Sequence, residues 1–403
     1  MPGYEKFGDE ERKEVNDVLS TGILMRFGFD GARKGIWKAK DLEAAINQKF
    51  GSKHAHLVCN GTAALTTALA SLGVGYGDEV IMPSFTFVAS FEAVLSVGAT
   101  PVLVDIDDSL TLDPQAVRKA ITPRTKCIMP VHMCGSMADM DALLAICKEK
   151  GLLLLEDACQ SIGASYKGKY LGTIGDAGTF SFDFVKTMTC AEGGAVLTNS
   201  EETYINADAY SDHGHDHKGV DRGADLHPYL GYNYRISELH AAVGLAQIRK
   251  LDGFLAMQKK NHAQLKSILE QIPGITFRRI PDPEGDSCTF LSWFLPDESA
   301  TQAVVEELKT RNILAGNFYW YNNNWHYIRK WDHLKNARLL NPLHPEHKEA
   351  VIAQSNKNFS ASDAIMSRCI STSISIAWTE SQIREKGEGI VAAAKKVLVK
   401  EPA

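Results

Sequence analysis

No stretch of the chain approaches the roughly 20 consecutive apolar residues that a bilayer span needs. The opening segment, MPGYEKFGDEERKEV, is charged and lacks the apolar centre of a secretory signal. A membrane-spanning or exported protein is therefore not expected, and the cytoplasm is. An excess of one charge is missing too. The net charge is -6 over 403 residues, and no basic patch with interleaved aromatics occurs, so nucleic acid is not an expected partner. The eight cysteines form no CxxC pair. Neither a disulfide framework nor a thiolate zinc site is expected, and the thiols read as small buried hydrophobes of a reducing compartment. Internal repeats and low-complexity tracts are absent, which sets aside solenoids and long disordered linkers.

What is present is an ordinary globular composition, 44% hydrophobic and 23% charged. From about residue 40 to 200 apolar strand patterns such as TPVLVDID, TKCIMPVHM, LLLLED, GTFSFDF and GAVLTN alternate with amphipathic helix patterns such as DLEAAINQKFG and MADMDALLAICKEKG. Uninterrupted apolar strands separated by helices predict a mainly parallel sheet covered on both faces. From Ser237, a plausible N-cap, one long helical pattern runs to the region of Pro273, with a break expected near Asp252-Gly253. Short strands and helices follow, and a last helix closes the chain over about 380–400. The expected organisation is a large domain with its N-terminal arm over 1–255 and a smaller C-terminal α/β domain over 256–403. The aromatic and Asn-rich segment YWYNNNWHYIRKWDHLKN is expected to be an ordered loop.

In an open parallel sheet, ligands sit beyond the carboxyl ends of the strands, and several unusual residues fall there. Asp157 ends the apolar strand LLLLED. It could keep a pyridine nitrogen protonated, or serve as a helix cap or structural ion pair. Lys186 stands in the otherwise uncharged run FVKTMTCA. A desolvated lysine can condense with an aldehyde, although a loop lysine can equally be a surface ion-pair partner. Asn60-Gly61-Thr62 opens a helix whose backbone N–H groups suit a phosphate, or simply a cap. Ser181 and the run Gly231–Arg235 add weaker donors, and Phe87 could stack on a flat ring or fill the core. Phosphate cradle, stacking ring, carboxylate and lysine together form the inventory for pyridoxal 5′-phosphate. The alternating HGHDH run (His213, His215, His217) lacks the further ligands of a zinc site, so no metal is expected.

The blocks NGTAAL, EDACQSIGA, TFSFDFVKTMTCAEGGAVLTN and GYNYRISELHAAVGLAQIRKLD resemble the motifs of the DegT/DnrJ/EryC1 sugar aminotransferases. The resemblance implies a fold-type I pyridoxal-phosphate transferase, aspartate aminotransferase-like, with a seven-stranded, mainly parallel sheet in its large domain. It implies a homodimer with shared active sites. Lys186 matches the Schiff-base lysine, Asp157 the acid facing the ring nitrogen, and Gln160 the side chain near the phenolic oxygen. Gly61, Thr62 and Ser181 match the phosphate contacts, Asn233 the phosphate contact given by the other subunit, and Phe87 the stacking aromatic. Arg26, His213 and Arg235 are candidates for substrate contact. The retained Lys186, where sister dehydratases carry His, implies amino transfer from L-glutamate, released as 2-oxoglutarate. Two positions depart from the pattern: Asn60, where Ser is commoner, and Ala191, where Gly usually precedes the Glu.

RFGFDGARKGIWKAKDLE, PVHMCGSMADMDAL and YSDHGHDHKGVDRG further resemble the members that aminate C8 of 8-dehydro-3-deoxy-manno-octulosonate for lipopolysaccharide. On that resemblance the basic run Arg26, Arg33, Lys34, Lys38 could meet the sugar's carboxylate, or form a solvated face. The alternatives are a nucleotide-linked 3- or 4-keto-6-deoxysugar as acceptor, or a regulator that binds cofactor or sugar without turnover.

Overall fold

A computed structural model describes residues 3–219 and 223–399 of the chain. The expected sheet is there. Its strands are β1 (His54–Val58), β2 (Glu79–Pro83), β3 (Thr100–Val104), β4 (Thr125–Ile128), β5 (Leu153–Asp157), β8 (Ala177–Ser181) and β9 (Gly194–Thr198), and a small hairpin, β6 (Ser165–Tyr166) and β7 (Lys169–Tyr170), precedes β8. The spatial order is β1-β9-β8-β5-β4-β2-β3. Only β9 runs against its neighbours; the other pairings are parallel. Strands β2, β8 and β9 are buried at every residue. That is why they show unbroken apolar or small-residue runs instead of alternation.

Helices cover both faces. Helices α3 (Gly61–Ser71), α4 (Val88–Ser96) and α7 (Glu201–Ser211) give Leu65, Phe91 and Ala207 to one core. On the other face α2 (Lys38–Phe50), α5 (Pro114–Ala120), α6 (Met140–Lys150) and the first half of α8 (Glu238–Leu269) contribute Leu42, Val117, Ile146 and Leu245. Helix α1 (Asp9–Thr21) packs along α8.

Helix α8 (Glu238–Leu269) corrects one expectation: it passes Asp252-Gly253 without a break and spans 32 residues. At a rise of about 1.5 Å per residue it is roughly 48 Å long. A Cβ at Gly253 would meet nothing within 4 Å, so this glycine is an exposed surface position and not a hinge. Ser237 is the N-cap, as its position suggested, accepting from the N–H of His240 at 3.3 Å. Beyond α8 a second sheet of β10 (Thr276–Phe277), β11 (Phe290–Phe294), β12 (Asn317–Phe318) and β13 (Cys369–Ser373) is wholly antiparallel, in the order β10-β11-β13-β12. Two C-terminal helices went unread in the sequence, Pro345–Ser355 and Ser360–Met366.

Strand alternation sends the adjacent acids Glu156 and Asp157 to opposite faces of the sheet. Glu156 is fully buried and fully engaged. Its carboxylate accepts from the N–H groups of Ile174 (2.6 Å), Gly175 (2.8 Å) and Gly172 (2.9 Å), and lies 3.1 Å from His132 Nε2. It thereby folds the loop between β7 and β8. Replacing Glu156 with Ala leaves three backbone donors unpaired, that of Gly172 buried and those of Ile174 and Gly175 partly so. The expected loss is on the order of 3 kcal/mol or more of stability, at about 1–3 kcal/mol for each abandoned group, read as a fall in the denaturant midpoint.

Candidate active site

The carboxyl end of β5 carries Asp157, which is 4% exposed. Its Oδ2 accepts from Ser90 Oγ at 2.7 Å and its Oδ1 from the N–H of Cys159 at 3.1 Å. Ser90 is in turn 2.6 Å from Thr86 Oγ1. The carboxylate is thus aimed by α4 and its own turn. Three residues on, Gln160 Oε1 accepts from the N–H of Cys134 at 3.1 Å, which turns its NH2 group away from that contact.

At the carboxyl end of β1 the chain turns into α3. Asn60 caps the helix through Oδ1, which accepts from the N–H of Ala63 at 2.8 Å. The first-turn N–H groups of Gly61 and Thr62 have no intrahelical acceptor, as at any helix N-terminus. A Cβ on Gly61 would come within 2.8 Å of Ser181 Cβ and 2.9 Å of its Oγ. A Cβ on Gly194 would fall 2.7 Å from the Asn60 carbonyl carbon. Both glycines let the turn press against β8 and β9.

Lys186 follows β8 on a turn closed by its N–H donating to the carbonyl of Asp183 at 3.0 Å. The turn returns through Ala191, whose φ of 70° is left-handed. This accounts for the departure noted above: glycine takes that conformation freely, whereas alanine holds it at a cost of roughly 1–2 kcal/mol.

Gly61, Thr62, Phe87, Asp157, Gln160, Ser181 and Lys186 all line one cavity of about 400 Å³. A second cavity, of about 470 Å³, adjoins it and shares Cys159, Gln160, Val185, Lys186 and His326. Cys159, like Cys59 and Cys288, is only partly covered, whereas the other five thiols are buried as expected. Burial, with the Asp157 carboxylate beside it, holds the Cys159 thiol well above its usual range, so it stays protonated.

His326 was missed in the sequence. The loop that carries it is zipped onto the segment after β2. The Thr86 N–H donates to the His326 carbonyl at 3.0 Å, the Val88 N–H to the Trp325 carbonyl at 2.8 Å, and Phe85 bridges Tyr327. The ring lies 5.3 Å from Phe87 and 4.5 Å from Trp320, with Nδ1 3.0 Å from Asn323 Oδ1. Burial, then the neighbouring Lys186 ammonium, pushes its pKa down to about 3, so it is a neutral wall. No local motif announces this residue; only the loop's unusual density of aromatics and Asn was a signal.

The other candidates lie outside both cavities. Arg26 needs correction as an anion contact. It is 5% exposed, with Nη2 donating to Glu43 at 2.5 Å. Arg33 is buried against Glu238 at 3.3 Å, and Lys38 is paired with Glu14 and Asp17, so of the basic run only Lys34 is exposed. Arg235 donates to Asp212. His213 and Asn233 are exposed on the segment after α7, where Asp212 bridges Asn233. Residues 220–222 of the HGHDHKGVDRG stretch fall outside the described residues. In that stretch His217 is clamped between two acids, Nδ1 2.6 Å from Asp208 and Nε2 3.0 Å from Asp212.

The description of the DegT/DnrJ/EryC1/StrS aminotransferase family matches residues 6–385, and the chain belongs to this family. It is 40% identical over 276 residues to 3-amino-5-hydroxybenzoate synthase of Amycolatopsis mediterranei (strain S699), covering 68% of this chain and 69% of that one. It is 42% identical over 221 residues to GDP-perosamine synthase of Caulobacter vibrioides, 55% of this chain and 58% of that one. The crystal structure of 3-amino-5-hydroxybenzoic acid synthase superposes with a TM-score of 0.80 at 32% identity, over 97% of each chain. DesI with its TDP-sugar product gives 0.78 at 26%, over 96% and 90%. The chain is thus a pyridoxal-phosphate-dependent aminotransferase of fold type I. Its own residues fit that cofactor: a helix N-terminus pressed against a serine by a glycine that tolerates no side chain, and a buried, oriented carboxylate in the same cavity.

The His217 clamp gives a pH prediction. Burial alone would lower the imidazole pKa, but Asp208 and Asp212 override it and hold it at about 9. The stability it adds is complete below an unfolded-state value near 6.5 and is lost as pH rises through about 9. Melting temperature is expected to fall between about pH 6.5 and 9, and His217→Gln to flatten that fall.

Proposed function

We propose that the enzyme moves the amino group of L-glutamate to a carbonyl-bearing sugar, and that the acceptor is 8-dehydro-3-deoxy-manno-octulosonate, aminated at C8 for lipopolysaccharide. The observation that carries the amino-transfer reading is one cavity lined by Lys186, Asp157, Gln160, Ser181, Gly61 and Thr62 together. The choice of sugar rests on the sequence blocks that resemble the C8-aminating members. Similarity to GDP-perosamine synthase and to DesI with its TDP-sugar product favours a second reading, a nucleotide-linked keto sugar.

When bound, the cofactor supplies an aldehyde that takes up amines and a ring that withdraws electrons from the neighbouring carbon. Lys186 Nζ takes the proton from the donor's α-carbon and, in the second half of the cycle, returns one to the acceptor's carbonyl carbon. Asp157, oriented by Ser90 and the Cys159 N–H, keeps a proton on the ring nitrogen. Gln160, with Oε1 engaged by Cys134, offers its NH2 to the phenolic oxygen. Gly61 and Thr62 N–H groups and Ser181 Oγ hold the phosphate, and Phe87 gives the ring a flat neighbour. Asn233 completes the phosphate site of a second copy. In support, its segment carries an exposed apolar flank of Leu226, Tyr229, Leu230 and Tyr232, between 43% and 79% exposed. The dimer works in the cytoplasm, a setting that suits eight free thiols.

Lys186→Ala is expected to lose transfer by about 10²–10⁴ or more, with L-glutamate no longer changing the cofactor absorbance. Asp157→Asn, which keeps the shape and loses the charge, is expected to slow the same half-reaction about a hundredfold. A near wild-type rate in Lys186→Ala would end the proposal. Scanning amino donors and keto-sugar acceptors by the same absorbance identifies the substrates.

A further inference from the structure

The second cavity differs in chemistry from the first. Phe318 and Trp320 stack at 4.6 Å with planes 5° apart, and Phe290 meets both edge-on, with ring centroids 5.9 and 5.8 Å away. Such a face suits the C–H surface of a sugar. Hydroxyls of Thr187, Thr289, Ser373 and Ser375 complete the lining. The Oδ1 of Asn323 is occupied by the N–H of Trp325 at 2.8 Å and by His326 at 3.0 Å, so its NH2 is left for a ligand. Thr187 Oγ1 donates to Gln258 Oε1 at 3.1 Å and keeps its lone pairs for an incoming hydroxyl.

Charge is scarce. Among the described lining residues Lys186 is the one cation and Glu5 the one acid, and His326 is neutral. Glu5 Oε2 accepts from Ser375 Oγ at 2.7 Å and from the N–H of Ala377 at 3.1 Å, which fixes a negative group at the wall. A carboxylate or phosphate reaching the Glu5 wall of this chamber would lose its water and face a fixed negative group.

We propose that this chamber takes the uncharged, hydroxyl-bearing segment next to the reacting carbonyl, and so selects acceptors whose anionic group lies many bonds away. The proposal rests on the aminotransferase reading above. A terminal aldehyde on a long sugar acid meets the requirement; a carbonyl a few bonds from a phosphate does not. The transfer balances without a further reagent: the donor's α-amino group and α-hydrogen are exchanged for the acceptor's carbonyl oxygen. The donor carbon is oxidised to a ketone and the acceptor carbon reduced to an amine.

The test uses holoenzyme converted to its amino form with L-glutamate, then mixed with 8-dehydro-3-deoxy-manno-octulosonate, D-glyceraldehyde or D-glyceraldehyde 3-phosphate. The phosphorylated aldehyde is expected to be poorer than D-glyceraldehyde by roughly a hundredfold in kcat/KM, the scale of an unpaired buried charge. Thr289→Val with Ser373→Ala is expected to lower kcat/KM for the sugar acid roughly tenfold, as for two lost hydrogen bonds. Ser373→Lys is expected to improve use of the phosphorylated aldehyde. Calorimetry of the cofactor-free protein with 3-deoxy-manno-octulosonate reads the chamber independently of turnover, and the double variant is expected to weaken that binding by a similar factor. Equal use of the two glyceraldehydes, or unchanged sugar binding in the double variant, overturns the chamber proposal. Wild-type holoenzyme that does not respond to L-glutamate overturns the donor assignment instead, and calorimetry then still decides the chamber.

Discussion

The arrangement depends on the register of one strand. On β5 two consecutive acids point to opposite faces of the sheet, and each is satisfied where it lands. Glu156 gathers the N–H groups of Gly172, Ile174 and Gly175 and so folds the loop that leads into β8. Asp157 reaches the cavity with Ser90 behind it. Since β8 ends in Ser181 and leads on to Lys186, Glu156 sets the strand that lies beside Asp157. A slip of one residue would exchange the two carboxylates and leave both buried without partners.

Against that strand the remaining site residues are placed by close packing more than by their own bonds. Gly194 is needed because it presses on the Asn60 backbone and Gly61 because it presses on the Ser181 side chain, and Ala191 tolerates a left-handed conformation to bring the chain from Lys186 back into β9. The neutral His326 wall then divides the space beside the lysine into one chamber of helix N–H and carboxylate groups and another of hydroxyls and aromatic faces.

Much of this could be read from the sequence because it is local. A carboxylate at the end of an apolar strand, a lysine in an uncharged run and a glycine opening a helix each break a compositional rule within a few residues, and together they described the first cavity. Ser237 as a cap is local in the same sense. What escaped was set by distant contacts. The basic run from Arg26 to Lys38 looked free because its acids, Glu14, Asp17, Glu43 and Glu238, are supplied mostly from other helices. His326 sits some 140 positions from Lys186 in a loop with no regular period. The break expected at Gly253 did not occur, because an exposed glycine costs a long, well-packed helix only about 1 kcal/mol.

Residues 3–5 bear on the Lys186 turn directly. The Gly3 N–H donates to the Lys186 carbonyl at 2.9 Å, Tyr4 stacks on Phe184 at 4.2 Å, and Glu5 lines the second cavity and accepts from Ser375. These three consecutive positions act as a strap over the lysine's own loop. A Cβ at Gly3 would come within 2.6 Å of the Thr187 carbonyl, so the strap has no slack on that side. Substitutions at residues 3–5 therefore reach the Lys186 turn itself, although nearly the whole large sheet separates the two in sequence.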